Sequence, residues 1–296
     1  MYKVSVCGHF GQNEELLNGQ TIKTKNIYNA LVDTYGKNEI NIIDSHNWKE
    51  RPIKFLFKCV NGIRKSNNVI MLPAHNGVKV FVPLFTNINY FYKRKIVYIV
   101  IGGWLPEFLE NRKILLKKMK RINKIFVETR LMKSKLNEMG LKNVEILPNF
   151  KDIEPIKENE LKIEFNKPYK LCTFSRVMKE KGIEDAIEVV KQINEEQQGI
   201  MYTLDIYGQI DKNYEDRFNE IMKNVPDYIQ YKGCIDSNKS VETIKNYYFL
   251  LFPTKFKTEG IPGTIIDAYF AGVPVISAEW ENANEIIDDG VTRLYL

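Results

Sequence analysis

Apolar residues occur in short runs that alternate with longer amphipathic stretches along this chain. Tyr2–Cys7 and Ile40–Asp44 are typical of buried strands, and a helix is predicted from about Thr21 to Tyr35. The same alternation continues to Val144–Leu147. Strands that alternate with helices predict an α/β fold with a parallel sheet, in which functional groups collect at the carboxyl ends of the strands.

One interruption divides the chain. Residues 150–168 are charged, contain two prolines and have no clean period, and the alternation starts again with a strand at Lys170–Ser175. We therefore predict two doubly wound domains, residues 1–150 and 169–296, joined by a linker over residues 151–168. Within the first domain, Gly77–Tyr92 and Pro106–Arg121 are each predicted to form one helix.

The stretch Phe252–Ser277 is the most informative part of the second domain. An apolar run ends at Pro253, and after a polar loop a helix is predicted to begin at Thr264. Unpaired backbone amides at a helix N-terminus, together with the helix dipole, favour an anion. The predicted anion-binding segment consists of Gly260, Ile261, Pro262, Gly263 and Thr264.

Two carboxylates, Glu259 and Asp267, flank that segment. A carboxylate that accepts hydrogen bonds from two hydroxyls can hold a sugar or a ribose. The neighbouring amides can hold a diphosphate. The combination therefore suits a nucleotide sugar. The alternative is an ordinary loop–helix junction with its acidic residues on a solvated surface.

Glu259, the acid eight positions later and the following A-x-x-x-G-x-P-V-I resemble the signature of retaining glycosyltransferases with the GT-B fold, the family numbered four. The resemblance implies two Rossmann-like domains that face each other across a cleft. It assigns the donor sugar to Glu259 and the ribose to Asp267, which stands where Glu is usual. Family members usually continue through further helices, so we expect the final C-terminal elements to be missing here.

The loop after the first strand of the second domain contains S-R-x-x-x-x-K-G, which is similar to the G-R-x-x-x-x-K-G of that family. The resemblance assigns the donor phosphates to Arg176 and Lys181. Basic residues on an exposed loop are the alternative. Two further strand ends resemble, more weakly, the segments of that family that lie near the nucleotide, and ordinary strand ends would explain them as well. They add the candidates Gly208, Gly233 and Ile235.

In the first domain, the family has a glycine after the first strand that lets the backbone approach a substrate. Gly19 is our candidate, although Thr21 as a helix cap would explain the local sequence equally well. The predicted acceptor side consists of Gly102, Gly103, Trp104 and His75. We expect no catalytic histidine, because in such enzymes the leaving phosphate can take the proton of the acceptor. His46 is predicted to have no partner of note.

Several motifs are absent from the sequence. There is no D-x-D after an apolar strand, no His/Cys/acid spacing for a metal and no G-x-G-x-x-G. These absences disfavour a metal-dependent GT-A enzyme and a dinucleotide-dependent oxidoreductase. We expect no cofactor and no metal, with a nucleotide sugar as donor substrate and UDP preferred to GDP.

The charge is unevenly distributed. Residues 1–150 hold 25 Lys and Arg against 11 Asp and Glu, a net +14, whereas residues 151–296 hold 18 against 26, a net −8. The basic stretch Asn111–Lys124 has apolar residues between its cations, so it could lie on an anionic bilayer at the inner face of the cell membrane. A solvated helix surface is the alternative. Nucleic acid is disfavoured because exposed aromatic residues are not interleaved with these cations.

Four scattered cysteines and no leader pattern favour a cytoplasmic protein with buried free thiols. Taken together, the residues and the family resemblance predict a metal-independent, retaining glycosyltransferase. The predicted reaction moves a sugar from a nucleotide sugar to a saccharide or lipid-linked saccharide, and the resemblance implies a role in the assembly of bacterial capsular or other surface polysaccharide. The alternative is a truncated, non-catalytic family member that binds a nucleotide sugar or a partner protein without turnover.

Overall fold

A computed structural model describes residues 1–11, 19–161, 164–288 and 293–295. The chain divides into two units, residues 1–150 and residues 151–296. The strands of the first domain are β1 Tyr2–Gly8, β2 Ile40–Asp44, β3 Ser66–Met71, β4 Lys95–Ile99, β5 Lys124–Val127 and β6 Val144–Ile146. Its helices are α1 Gly19–Tyr35, α2 Pro52–Lys65, α3 Val78–Tyr92, α4 Leu105–Leu109, α5 Lys113–Met119 and α6 Arg130–Glu138.

The first domain is a parallel sheet in the order β2-β1-β3-β4-β5-β6. The strand order reverses between β1 and β3, and ligands of doubly wound sheets bind at the carboxyl ends of the strands at such a point. Apolar side chains form a core on both faces of the sheet, with Val6 in one cluster and Val69 in the other. The predicted alternation of strands and helices, including the helix over α3, is confirmed.

The prediction of one helix over Pro106–Arg121 is wrong, because the chain turns between α4 and α5. A single helix would place Leu109 and Leu115 about 120° apart around its axis, at 100° per residue. Both are buried in the same core, and the turn between α4 and α5 lets both side chains point into it. Leu115, Met119 and Ile122 therefore face the core, and the predicted amphipathic helix free to lie on a bilayer is not formed.

The second domain has the order β12-β11-β10-β7-β8-β9, again with parallel strands. The order reverses between β7 and β10. Its strands are β7 Tyr169–Phe174, β8 Tyr202–Tyr207, β9 Ile229–Gly233, β10 Phe249–Phe252, β11 Val275–Ser277 and β12 Arg293–Tyr295. Its helices are α7 Ile183–Glu196, α8 Glu215–Met222, α9 Ser240–Ile244 and α10 Gly263–Phe270.

The described part of the segment predicted as a linker packs on the second domain. Ile153 and Ile156 contact the core beside α10, and the Ile156 amide donates to the Phe270 carbonyl at 2.9 Å. Residues 162 and 163 lie outside the described residues, as do residues 289–292 and 296. No helix in the described ranges is both long and apolar enough to cross a bilayer.

Candidate functional site

Lys181 and Glu259 form an ion pair at the point in the second domain where the strand order reverses. Lys181 follows β7 and Glu259 follows β10, two neighbouring strands, so residues 78 positions apart in sequence meet at one edge of the sheet. Their side chains are 16% and 14% exposed. The Thr254 hydroxyl also donates to Glu259 Oε1 at 3.2 Å, and the Asn282 side-chain amide donates to the Glu259 carbonyl at 2.7 Å. Sequence reasoning did not single out Thr254 or Asn282.

Two glycines let the loops of this edge approach one another. Gly182 has a φ of 67°, and a Cβ there would lie 1.9 Å from the Pro253 carbonyl oxygen at the end of β10. Gly208 has a φ of 133°, and a Cβ there would lie 1.8 Å from the Ser175 carbonyl oxygen after β7. Any larger residue would push these strand ends apart, so both glycines are required by packing at this edge.

Arg176 lies at the same edge but is more exposed. Its guanidinium is 3.7 Å from the carboxylate of Asp211, and its side chain is 47% exposed. Gly208 donates its amide to the Gly233 carbonyl at 2.9 Å, which brings two of the weaker donor-side candidates together. Ile235 packs at the margin of the apolar cluster that contains α10.

The predicted anion-binding segment lies directly after Glu259. Pro262 occupies the N-cap position of α10 without a side-chain hydrogen bond, and the helix begins at Gly263. The first amides of an α-helix have no partner within the helix and point outward from its end. Thr264 Oγ1 is buried and has no hydrogen-bond partner among the described residues. This helix end is thus suited to an anion beside the Lys181 ammonium.

Asp267, the predicted ribose ligand, is more deeply buried than Glu259 and pairs with a lysine of its own. Its carboxylate is 2% exposed, and its Oδ2 forms an ion pair with Lys151 from the segment predicted as a linker. Burial raises the pKa of Asp267 and outweighs the lowering effect of Lys151. Oδ1 has no hydrogen-bond partner within the described ranges, and the nearby Ser240 hydroxyl donates to the Ser237 carbonyl. A ribose contact through Oδ1 stays a prediction, whereas the partner Lys151 was not foreseen.

In the first domain, the predicted acceptor-side residues gather beside α4. The His75 ring packs edge-on against Trp104 at 5.0 Å and against Phe108 at 4.5 Å. Trp104 is fixed by a hydrogen bond from its indole nitrogen to the Ile101 carbonyl at 2.7 Å. Gly102 has a φ of 80°, and the neighbouring Gly103 is buried. The structure brings His75 and Trp104 together, with Phe108 as a partner that the sequence did not indicate.

The expectation that His46 has no partner is wrong. His46 Nδ1 lies 3.0 Å from His9 Nε2, and His9 Nδ1 lies 2.8 Å from the Thr21 hydroxyl. Thr21 is inside α1 and fully buried, so it is not the helix cap. At Gly19 an added Cβ would meet no atom within 4 Å, so packing within the described residues does not require glycine there.

The described residues contain no group of three or more His, Cys, Asp or Glu side chains that could hold a metal ion. The four cysteines, Cys7, Cys59, Cys172 and Cys234, are free thiols, and the first three are buried. Burial raises the pKa of the Cys7 and Cys172 thiols, which keeps both in the protonated, unreactive form.

Comparison with protein families finds a match in the second domain. The family model of the group 1 glycosyl transferases matches residues 168–296. Over these residues the C-terminal domain is similar to the group 1 glycosyl transferases. Two curated relatives agree with this match. The amylovoran biosynthesis glycosyltransferase AmsK of Erwinia amylovora is 27% identical over 173 residues, which is 55% of this chain and 41% of AmsK. The peptide N-acetylglucosaminyltransferase GtfA subunit of Streptococcus pneumoniae is 31% identical over 127 residues, 42% of this chain and 24% of that protein.

Solved structures with the GT-B-type fold resemble this chain. HepE of Anabaena, solved with UDP and glucose, aligns with this chain at a TM-score of 0.71 and 13% identity. The alignment covers 100% of this chain and 86% of the HepE chain. The pneumococcal O-GlcNAc transferase GtfA, solved with UDP and GlcNAc, matches 80% of this chain and 47% of its own, with a TM-score of 0.61 and 20% identity. The chain spans less than half the length of the curated relatives that it matches.

Proposed function

We propose that this chain is a retaining, metal-independent glycosyltransferase that moves a sugar from a nucleotide sugar, with UDP preferred, to a saccharide acceptor. The observation that carries the proposal is the Lys181–Glu259 pair beside the open N-terminus of α10, inside a domain similar to the group 1 glycosyl transferases. A cation, helix amides and a carboxylate lie side by side there, which is the set of groups that a diphosphate and a sugar require.

In this proposal the ammonium of Lys181 leaves Glu259 when the donor binds and takes up the diphosphate together with Arg176 and the first amides of α10. Each charge-assisted hydrogen bond contributes about 1.5–3 kcal/mol. Lys181 also lies 5.5 Å from the Phe252 ring and 5.6 Å from the Phe256 ring, and both rings exclude water from one side of it. Reduced solvation strengthens its attraction to a phosphate.

Glu259, once released, accepts hydrogen bonds from hydroxyls of the donor sugar. The Asn282 amide holds the Glu259 backbone and Thr254 holds its side chain, so the carboxylate is already oriented before the sugar arrives. Lys181, Arg176 and the helix amides stabilise the charge that develops on the departing diphosphate. That diphosphate takes the proton of the acceptor hydroxyl, so no protein base is needed.

The proposed acceptor is a saccharide or a lipid-linked saccharide of bacterial surface polysaccharide, at the inner face of the cell membrane. Support comes from the net charge of +14 over residues 1–150, which favours an anionic surface or an anionic acceptor. His75 and Trp104 offer the aromatic surface on which a sugar ring can pack.

The test is release of UDP from a panel of UDP-sugars, with water and then saccharides as acceptors, by the unaltered chain and by Glu259→Gln. We expect at least one donor to be turned over, and the substitution to remove about 100-fold or more of that rate. Glu279→Gln is a matched control, because Glu279 is exposed and its loss leaves the Lys181–Glu259 pair intact.

A folded chain that binds UDP but turns over no donor would favour the non-catalytic alternative. Equal rates for Glu259→Gln and Glu279→Gln would remove Glu259 from the site.

A further inference from the structure

A groove of about 560 Å³ lies in the first domain between the first turns of α3 and the turn that joins α4 to α5. Lys79 and Pro83 line it from α3, and Arg112, Lys113 and Ile114 line it from the other side. We call it the Lys79–Lys113 groove. Its volume is within the range of small-molecule sites in proteins. The helix break between α4 and α5 creates it, since one continuous helix would have no turn there.

The charge of the groove favours an anion. Three cations, Lys79, Arg112 and Lys113, line it together with one carboxylate, Glu110. None of the three cations forms an ion pair within the described part of the chain.

Arg112 and Lys79 also contact the same aromatic ring. The Arg112 guanidinium donates to the Phe108 carbonyl and lies 3.9 Å from the centre of the Phe108 ring, while Lys79 Nζ lies 5.4 Å from the same centre. Two like charges that share one aromatic ring repel each other, and a phosphate between them would relieve that repulsion.

The apolar part of the groove favours a hydrocarbon chain. Ile114 lines the groove and is 83% exposed. Pro83 and the buried side chain of Leu115 complete the apolar lining. A free phosphate or a sugar phosphate would leave this lining in water, whereas a chain of methylene groups would cover it.

The groove is connected to the predicted acceptor residues through Phe108. His75 lies 4.5 Å and Trp104 lies 5.3 Å from the Phe108 ring, and the two groove cations lie over the same ring. A ligand with its phosphate at Lys79 and Arg112 would therefore lie one aromatic side chain away from His75 and Trp104.

We propose that the Lys79–Lys113 groove binds the phosphate and the first part of the hydrocarbon chain of a lipid phosphate, the anchor of a lipid-linked saccharide acceptor. This assignment rests on the proposed glycosyltransferase function for the role of the ligand, but not for its binding. Lys79, Arg112 and Lys113 hold the phosphate, and Ile114 and Pro83 contact the chain.

The test is calorimetric titration of dodecyl phosphate, below its critical micelle concentration, into the full chain. We expect saturable binding that Lys79→Ala/Lys113→Ala weakens about tenfold or more and that Ile114→Ser weakens by at least about threefold. The matched controls are Lys37→Ala/Lys117→Ala, which removes the same charge from exposed positions outside the groove, and Ile200→Ser, which removes an exposed isoleucine of the second domain. Both controls should stay within about twofold of the unaltered chain.

Two probes separate the parts of the ligand. Dodecyl maltoside lacks the phosphate and inorganic phosphate lacks the chain, so each should bind at least about tenfold more weakly than dodecyl phosphate. No saturable binding, equal losses in the control variants, or inorganic phosphate as tight as dodecyl phosphate would each overturn the proposal.

UDP titration into the same groove variants distinguishes this proposal from the proposed function. UDP affinity should be unchanged in Lys79→Ala/Lys113→Ala. If UDP fails to bind the unaltered chain, the donor site is refuted while the groove result stands; if only dodecyl phosphate fails, the groove alone is refuted.

Discussion

Each domain has a lysine–glutamate pair at the carboxyl edge of its sheet, and the two pairs differ mainly in burial. Lys23 and Glu128 in the first domain are each 3% exposed. Lys181 and Glu259 in the second domain are 16% and 14% exposed. In both domains the partners come from elements far apart in sequence that a parallel sheet brings together.

The surroundings of the two pairs also differ, with the more buried pair joining structural elements and the more exposed pair lying beside an open helix end. Lys23 Nζ also lies 3.4 Å from the Val100 carbonyl, and Glu128 Oε1 accepts the Gly102 amide at 3.2 Å, so this pair ties α1 to the ends of β4 and β5. The Lys181–Glu259 pair instead lies beside a helix N-terminus that has no side-chain cap. The same two side chains therefore serve packing where they are fully buried, and remain available to a ligand where they are not.

The largest expected effect is on stability, from Glu128→Ala. It leaves the Lys23 ammonium buried without its carboxylate, and breaking a buried pair in this way costs about 3–5 kcal/mol in the free energy of unfolding. Urea unfolding followed by tryptophan fluorescence measures this. Lys23→Met/Glu128→Leu is the control, since replacing both charges by apolar groups is far less costly. A loss below about 1 kcal/mol for Glu128→Ala would contradict a structural role.

Glu259→Gln should lower stability little and sugar transfer strongly. We expect a loss of about 1.5 kcal/mol in the free energy of unfolding, because one charge-assisted hydrogen bond is weakened and Lys181 keeps access to water. Sugar transfer should nevertheless collapse. The same urea experiment and the UDP-release assay provide both numbers. A stability loss as large as that of Glu128→Ala would mean that the two pairs are alike and that the proposed division by burial is wrong.

Arg176→Ala extends the comparison to an exposed cation at the same edge. Its contact with Asp211 is long and solvated, so the free energy of unfolding should change by less than about 1 kcal/mol. UDP affinity should fall about tenfold or more if the guanidinium holds a phosphate. Unchanged UDP affinity in a calorimetric titration would remove Arg176 from the donor site.

The smallest effect is expected at Glu184, in the first turn of α7. The hydrogen bond from Arg217 is the main cause that lowers the pKa of Glu184 below its usual 4.5, and the side chains are 37% and 55% exposed. A lowered pKa stabilises the fold above pH 4.5, and that contribution is lost as the pH falls through the pKa of the folded state. Glu184→Gln should therefore flatten the fall in stability below pH 4.5, by less than about 1 kcal/mol. An unchanged slope would show that this exposed pair contributes nothing.

The placement of Lys181 and Glu259 at strand ends follows from the strand–helix alternation, and the family resemblance assigns both to one donor. The pairing of β7 with β10, in contrast, is visible only in the structure. The pairs Lys151–Asp267 and His9–His46 do not follow from the sequence. Lys151 belongs to a segment with no period, so nothing in the sequence indicates where its side chain lies. His9 and His46 meet only because β1 and β2 pair in a particular register, which aligns Gly8 with Asp44.

The break between α4 and α5 was not predicted from the sequence. The charge of Asn111–Lys124 is typical of one exposed helix surface, whereas Leu109 and Leu115 would lie about 120° apart on a single helix and both belong to the same core. Local charge is therefore a weaker guide to an element than the angular phase of its apolar residues, because only the latter decides which side chains reach the core.

The most direct test of the central claim is calorimetric titration of UDP, and then GDP, into the full chain, into Arg176→Ala/Lys181→Ala and into Lys93→Ala/Lys95→Ala. The last variant removes the same charge from the first domain. We predict that UDP binds more tightly than GDP, that the first double substitution abolishes binding and that the second leaves it unchanged. No UDP binding by the folded, unaltered chain, or equal binding by all three proteins, would contradict a donor site at Lys181 and Glu259.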